Sequence, residues 1–248
     1  MNVELLEIVG PALVAGLMIA LTHAPLGIEV LKRGIIFIDL AIAQIAGLGL
    51  VAAATFFHHP PTWIVQSIAL AGTLLAAFGF RVAEKKAPTY LEAIIGVSYV
   101  LASTLAILLL TKHPHCSESI EHMLSGQMLF IQWSDVLHHL PIYIVIVALW
   151  FSSPRVRSGI LFYALFSVAI TSSVQLAGVY VVFASLIIPA LAVTKAKKPH
   201  LAAWTHGIIS VTVGIFMAVT TDPPAGPLIV ISYAFVPLLS LSQRLPQK

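Results

Sequence analysis

Charge is scarce in this chain. Asp, Glu, Lys and Arg make up 9% of its 248 residues, while 59% are hydrophobic and the mean hydropathy is +0.99. Ordinary soluble domains carry roughly a quarter charged residues, so this chain cannot build a water-facing surface and lipid must cover most of it. Cysteine is nearly missing. Cys116 is the only one, which excludes an intrachain disulfide. There is no G-x-x-x-x-G-K-[ST], no His-Glu-x-x-His and no G-x-S-x-G. The chain therefore binds no ATP through such a loop and carries neither of these hydrolase signatures. Nor are aromatic and basic residues interleaved as in a nucleic-acid surface, so the pI near 9.1 has another origin.

Long apolar runs are what the chain has instead. A helix needs about 20 residues to cross roughly 30 Å of hydrocarbon. Candidate spans are 8–26, 36–57, 62–80, 90–111, 135–151, 158–174, 176–194, 201–220 and 227–243. The pair 158–174 and 176–194 is joined by a short turn through Gln175 and Gly178 and can be counted as one. The expected fold class is all-α: a polytopic membrane protein of eight or nine transmembrane helices, one domain over 1–248, embedded in a lipid bilayer. The loops sort the charge. Lys32, Arg33, Arg81, Lys85, Lys86, Arg155, Arg157, Lys195, Lys197, Lys198, Arg244 and Lys248 fall on one side, and only Lys112 on the other. Cytoplasmic loops hold Lys and Arg. The N-terminus and the stretches 58–61, 112–134 and 221–226 are thus expected outside. The stretches 32–35, 81–88, 152–157 and 195–200 and the C-terminus are expected inside. The longest non-spanning stretch, 112–134, has room for a re-entrant part. The first seven residues hold Glu4 and Glu7 but no Lys or Arg. A cleavable signal has a basic start, so the first span is expected to be retained.

Against this apolar background a few polar residues stand out. Asp39 has Ile35, Ile36, Ile42 and Ala43 at helical spacing and no local partner. An intramembrane carboxylate costs about 2.5–3.5 kcal/mol at the bilayer centre even on lenient scales. It must face a polar path or another helix, or else lie near enough to Arg33 to reach inner water. Glu29 has Lys32 and Arg33 at i+3 and i+4, the spacing of intrahelical ion pairs. Glu92 opens a span, where an acid suits the helix dipole or serves the path. Gln44 lies in a run of Ala, Ile and Gly that lets helices approach. His23 ends the first span before Pro25 and Gly27, either as packing or as part of the path. In the outer stretch 113–122, His113, His115, Cys116 and His122 have side chains suited to zinc and similar ions. Their spacing fits no standard motif, so a solvated loop is the other reading. His58 and His59 share that side. Pro189 interrupts an apolar run and frees the carbonyl of Ser185.

Taken in order, several segments carry a resemblance. They are PLGIEVLKR (25–33), FIDLAIAQIAGLG (37–49), EAIIG (92–96), IEHMLSGQMLFIQWSDVL (120–137), QLAGVYVVFASLIIPALA (175–192) and DPPAGPL (222–228). The chain resembles the permease subunits of ATP-binding cassette importers for zinc and manganese over nearly its whole length. The resemblance implies a homodimeric channel, ABC ATPase subunits on the cytoplasmic side and an extracytoplasmic metal-binding protein above. Zinc or manganese would be transported cargo, not a resident cofactor. Asp39, Gln44, His23 and Glu92 are the candidate ion-pathway residues. In the family a His follows the Asp by four residues; here Ala43 stands there, and Gln44 matches only with a one-residue shift. Family members also carry a cytoplasmic helix that docks on the ATPase. Only Ser152–Ser158 occupies its place, leaving Arg155 and Arg157, or the loop 81–88, to make that contact. The rival readings are a stand-alone carrier driven by an ion gradient and a membrane-embedded metalloenzyme.

Overall fold

Eight helices dominate a computed structural model of the chain, which describes residues 3–57, 60–111, 126, 128–221 and 223–242. They are α1 (Val3–Arg33), α2 (Ile38–Phe56), α3 (Thr62–Lys86), α4 (Leu91–Leu110), α5 (Trp133–Ser152), α6 (Gly159–Ala192), α7 (Pro199–Thr221) and α8 (Ala225–Ser242). Among the described residues, seven are long and apolar enough to cross a membrane, and α8 contributes a shorter apolar helix. The all-α polytopic class expected from hydropathy is the class observed. Large side chains such as Leu75, Phe78, Leu137 and Phe216 stay exposed on the outer faces, as lipid contact requires.

The core forms two main clusters that meet along α6. One joins α2, α3, α4 and the start of α6 through Ile42, Phe80, Ile95, Phe162 and Phe166. The other joins α1, α7, α8 and the later part of α6 through Ile19, Val181, Val211 and Tyr233. The sequence leaves open whether α6 is one span or two, and Gly178 answers. Its φ of 76° and ψ of 166° break the helix, in a region that is essentially restricted to glycine. Ser173 and Ser185 would stand about 18 Å apart along a straight helix. Here the two ring nitrogens of His23 reach both hydroxyls, at 2.9 and 2.7 Å. The first end of α6 meets α1 where Arg33 donates to the Arg157 carbonyl, at 2.6 Å. Its last end packs there too, with Ala190 and Val193 against Ala24 and Ile28. The helix therefore folds back as a hairpin of two arms. Gly126 (φ 66°) caps the bend, so close to Ala177 and Gly178 that a Cβ would strike their backbone. Buried Met128 follows it against α1, so that Gly126 and Met128 of the 112–134 stretch pack into the bundle.

One sequence expectation changes. The first span does not end at residue 26; α1 runs on through Pro25 to Arg33, which puts His23 in mid-helix. A proline deprives the carbonyl four residues earlier of its donor, and a neighbouring helix must make good the loss. Trp204 does so, donating its Nε1–H to the Leu21 carbonyl at 2.9 Å. The same device recurs at Pro237, where His206 Nε2–H donates to the Tyr233 carbonyl at 3.0 Å. Both donors come from one turn of α7, which thereby ties α1 to α8.

At the end holding the basic loops, Arg33 bonds to Glu29 (3.1 Å) and Glu84 (3.2 Å), Glu84 also pairs with Arg81, and the Arg33 guanidinium lies over the Phe162 ring. The spacing-based pairing of Glu29 is the one observed. Three helices, α1, α3 and α6, are joined by this single network.

Candidate functional site

The start of α2 is built without a side-chain cap from its own residues. Phe37, the residue before it, instead donates its amide to Glu92 Oε1 of α4, at 3.1 Å. Glu92 thus serves a neighbouring helix's start besides opening its own. Its second oxygen, Oε2, is buried and accepts nothing from a described residue. In the first turn of α2, Asp39 is 1% exposed, so it does not reach inner water. Neither of its carboxylate oxygens has a hydrogen-bond partner among the described residues, and the Glu92 carboxylate is close enough to repel it. Gln44, 2% exposed, leaves Oε1 equally unpartnered. Buried polar atoms are nearly always paired, and leaving one unpaired costs on the order of 1–3 kcal/mol. Four such oxygens on two packed helices are what a path for a cation needs, and they are a liability to the fold alone.

A cleft of about 760 Å³ is lined by Gln44, though by neither Asp39 nor Glu92. Leu40 and Gln44 of α2, Tyr99 and Ser103 of α4, the returning arm of α6 and α8 form its walls. A second cleft, of about 600 Å³, shares Leu40 and Tyr99 and extends past Phe37 and Gly96. Gln44 is thus a polar side chain of α2 that lines the cleft, while Asp39 lines neither cleft and lies near Glu92 of α4. Among the described residues no three His, Cys, Asp or Glu converge tightly enough to cage a metal. Sparse oxygen donors bind weakly enough to release what they bind.

The remaining candidates fall elsewhere. His23 is fully buried between α1 and both arms of α6, with both ring nitrogens engaged by serines, and it lines neither cleft. Arg157 is tied inward: its Nε donates to the Trp150 carbonyl at 3.0 Å, and its guanidinium lies near the Trp150 and Phe151 rings. Arg155 is exposed on a short turn, Pro154–Arg157. His113, His115, Cys116 and His122, with His58 and His59, lie outside the described residues. Sequence reading missed Tyr143, Ser173 and Ser185, which surround His23. The polar run Thr171–Gln175 inside an apolar segment was the available signal.

A bundle of membrane-length helices enclosing an unpaired acid beside a cleft defines a polytopic transport protein. The chain belongs to the ABC 3 transport family, whose model matches residues 5–156 and 154–244. It is 25% identical to the high-affinity zinc uptake system membrane protein ZnuB of Haemophilus influenzae, over 96% of this chain and 98% of that one. Its fold matches PsaBC from Streptococcus pneumoniae, solved in complex with Fab. The TM-score is 0.74 at 19% identity, covering 96% of this chain and 93% of that chain. It also matches a transporter assigned to the metal-chelate ABC type, in an inward-facing conformation. There the TM-score is 0.67 at 18% identity, covering 93% and 84%.

Proposed function

We propose that this chain is the membrane permease of an ABC-type importer that carries zinc or manganese into the cytoplasm. A separate ATPase subunit would drive it and an extracytoplasmic binding protein would supply it. The observation that carries the reading is the set of unpartnered oxygens on Asp39, Glu92 and Gln44, of which Gln44 lines the cleft of α2, α4, α6 and α8. Family membership and the zinc-uptake relative support it. In this reading Asp39 and Glu92 supply negative charge along the path, Gln44 offers a neutral oxygen at the cleft, and two copies of the chain enclose the route. The chain is one transmembrane domain over 1–248, seated in the bacterial inner or plasma membrane. Its N-terminus is outside and its C-terminus inside, as the sorted Lys and Arg favour.

The test is uptake of radioactive zinc and manganese by cells lacking the chain, complemented with the parent sequence or with Asp39→Ala. The parent restores uptake and Asp39→Ala does not, at equal membrane abundance. Normal uptake in the deleted strain and in the Asp39→Ala strain alike ends the reading. The short Pro154–Arg157 turn leaves little surface for an ATPase. Affinity purification of the full chain from its own membranes, which should bring down an ATPase subunit, tests that coupling against a stand-alone carrier.

A further inference from the structure

We propose that His23 is a releasable clasp that sets the position of the returning arm of α6, and with it the width of the transport cleft. The arms are 159–177 and 179–192, joined at Gly178. His23 takes one serine from each: Nε2 meets Ser173 Oγ at 2.9 Å and Nδ1 meets Ser185 Oγ at 2.7 Å. These partners lie 150 and 162 residues away in sequence, and one imidazole closes the hairpin. Tyr143 of α5 adds its hydroxyl to Ser173, at 2.7 Å.

The bonding pattern makes the clasp reversible. Ser173 Oγ also lies 2.8 Å from the Ala169 carbonyl, and Ser185 Oγ lies 2.9 Å from the Val182 carbonyl. When His23 lets go, each serine falls back on its own helix and no buried hydroxyl is stranded. Opening then costs the imidazole alone, whose two buried ring nitrogens lose their partners, so the closed clasp is the favoured state. The hinge is equally permissive, because Gly178 has no side chain to restrict its backbone. Below the clasp, Gly27 lets α1 run directly against the Leu186 carbonyl with no side chain between them.

The opposite face of the returning arm is a wall of the cleft. Tyr180, Phe183 and Ile188 line it, facing Gln44 across the space. Ser185, Leu186 and Ala190 face α1. A swing of the arm about Gly178 away from α1 moves that wall into the cleft. His23 is thus a positioning residue for transport: it touches no ion and holds a wall of the cleft.

The test uses the full chain in lipid nanodiscs on a Cys116→Ser background, with spin labels at Leu161→Cys and Leu191→Cys. These positions are exposed ones near the free ends of the two arms. The parent gives one narrow distance population. His23→Leu, which keeps bulk and loses both bonds, raises a second population roughly tenfold, as expected for losing about one net hydrogen bond. The pair Ser173→Ala with Ser185→Ala gives the same result, and adding His23→Leu to that pair changes nothing further. His23→Gln and His23→Asn, each able to hold one arm, fall between. In the uptake assay, maximal rate drops while the half-saturating metal concentration stays within about twofold, the mark of an effect other than ion binding. If His23→Leu fails to reach the membrane, the serine pair, which changes little volume, decides the matter. An unchanged distance distribution in the serine pair overturns the proposal. So does a raised half-saturating concentration with unmoved arms, which would make His23 an ion ligand.

Discussion

Charge and shape at position 39 have opposite consequences for stability and transport. A buried carboxylate with no partner weakens the bundle, so Asp39→Leu should raise the thermal unfolding midpoint in detergent, by on the order of 1–3 kcal/mol of stability, while abolishing metal uptake. Equal loss of both would mean that Asp39 is a structural residue. Glu92 has two duties that a single pair of variants separates. Glu92→Gln keeps an acceptor for the Phe37 amide and should leave stability unchanged while lowering uptake. Glu92→Ala strips the start of α2 as well, at about 1 kcal/mol, the usual worth of a helix cap. Trp204→Phe leaves the Leu21 carbonyl beside Pro25 without its donor and should cost about 1–3 kcal/mol, readable in the same melting experiment. Of these roles, the peculiarity of Asp39 and the candidacy of Glu92 for the path were legible in sequence. An acid among isoleucines is anomalous wherever it lies. Glu92's bond to Phe37 and Trp204's bond to Leu21 join residues far apart in the chain, and no local pattern announces them.

Among the helices, α6 depends most on one backbone position. Any side chain at Gly178 must adopt φ 76° and ψ 166°, and such conformations cost about 1–3 kcal/mol per residue. Gly178→Ala should therefore destabilise the chain by that amount or straighten α6. The Leu161–Leu191 label distance distinguishes the two: destabilisation alone leaves it short. The sequence marks this bend only weakly, since two spans joined by a short turn and one long span read alike in hydropathy. The serine pair on His23 and the Gly126 cap at the bend decide for the hairpin. Proline was legible as an interruption at position 189, and Pro25 as a mark of the first span's end. That α1 continues through Pro25 was not, because continuation depends on a donor that another helix supplies.

For the whole molecule, the folded-back α6 fits the sorted charge. With two arms in place of one crossing, the basic stretches around Arg155 and around Lys195 return to the same side, where Arg33, Arg81 and Glu84 form their network. Single cysteines placed at Lys86 and Lys197 in the Cys116→Ser background should react with a membrane-impermeant maleimide only after the cytoplasmic face is opened, and one at Trp63 from the outside. Labelling of Lys197→Cys from outside would invert or break the proposed orientation.

Membrane class and approximate span positions follow from sequence alone, and the sorted charge yields an expectation for the side taken by each loop. Burial of apolar helix in lipid and retention of Lys and Arg in the cytoplasm act on each segment nearly independently, so they can be summed along the chain. Which polar groups meet, which stay unpartnered and where the long helix folds back were decided by the tertiary structure. Those outcomes depend on distances of a few ångströms between side chains more than a hundred residues apart, as between His23 and Ser185.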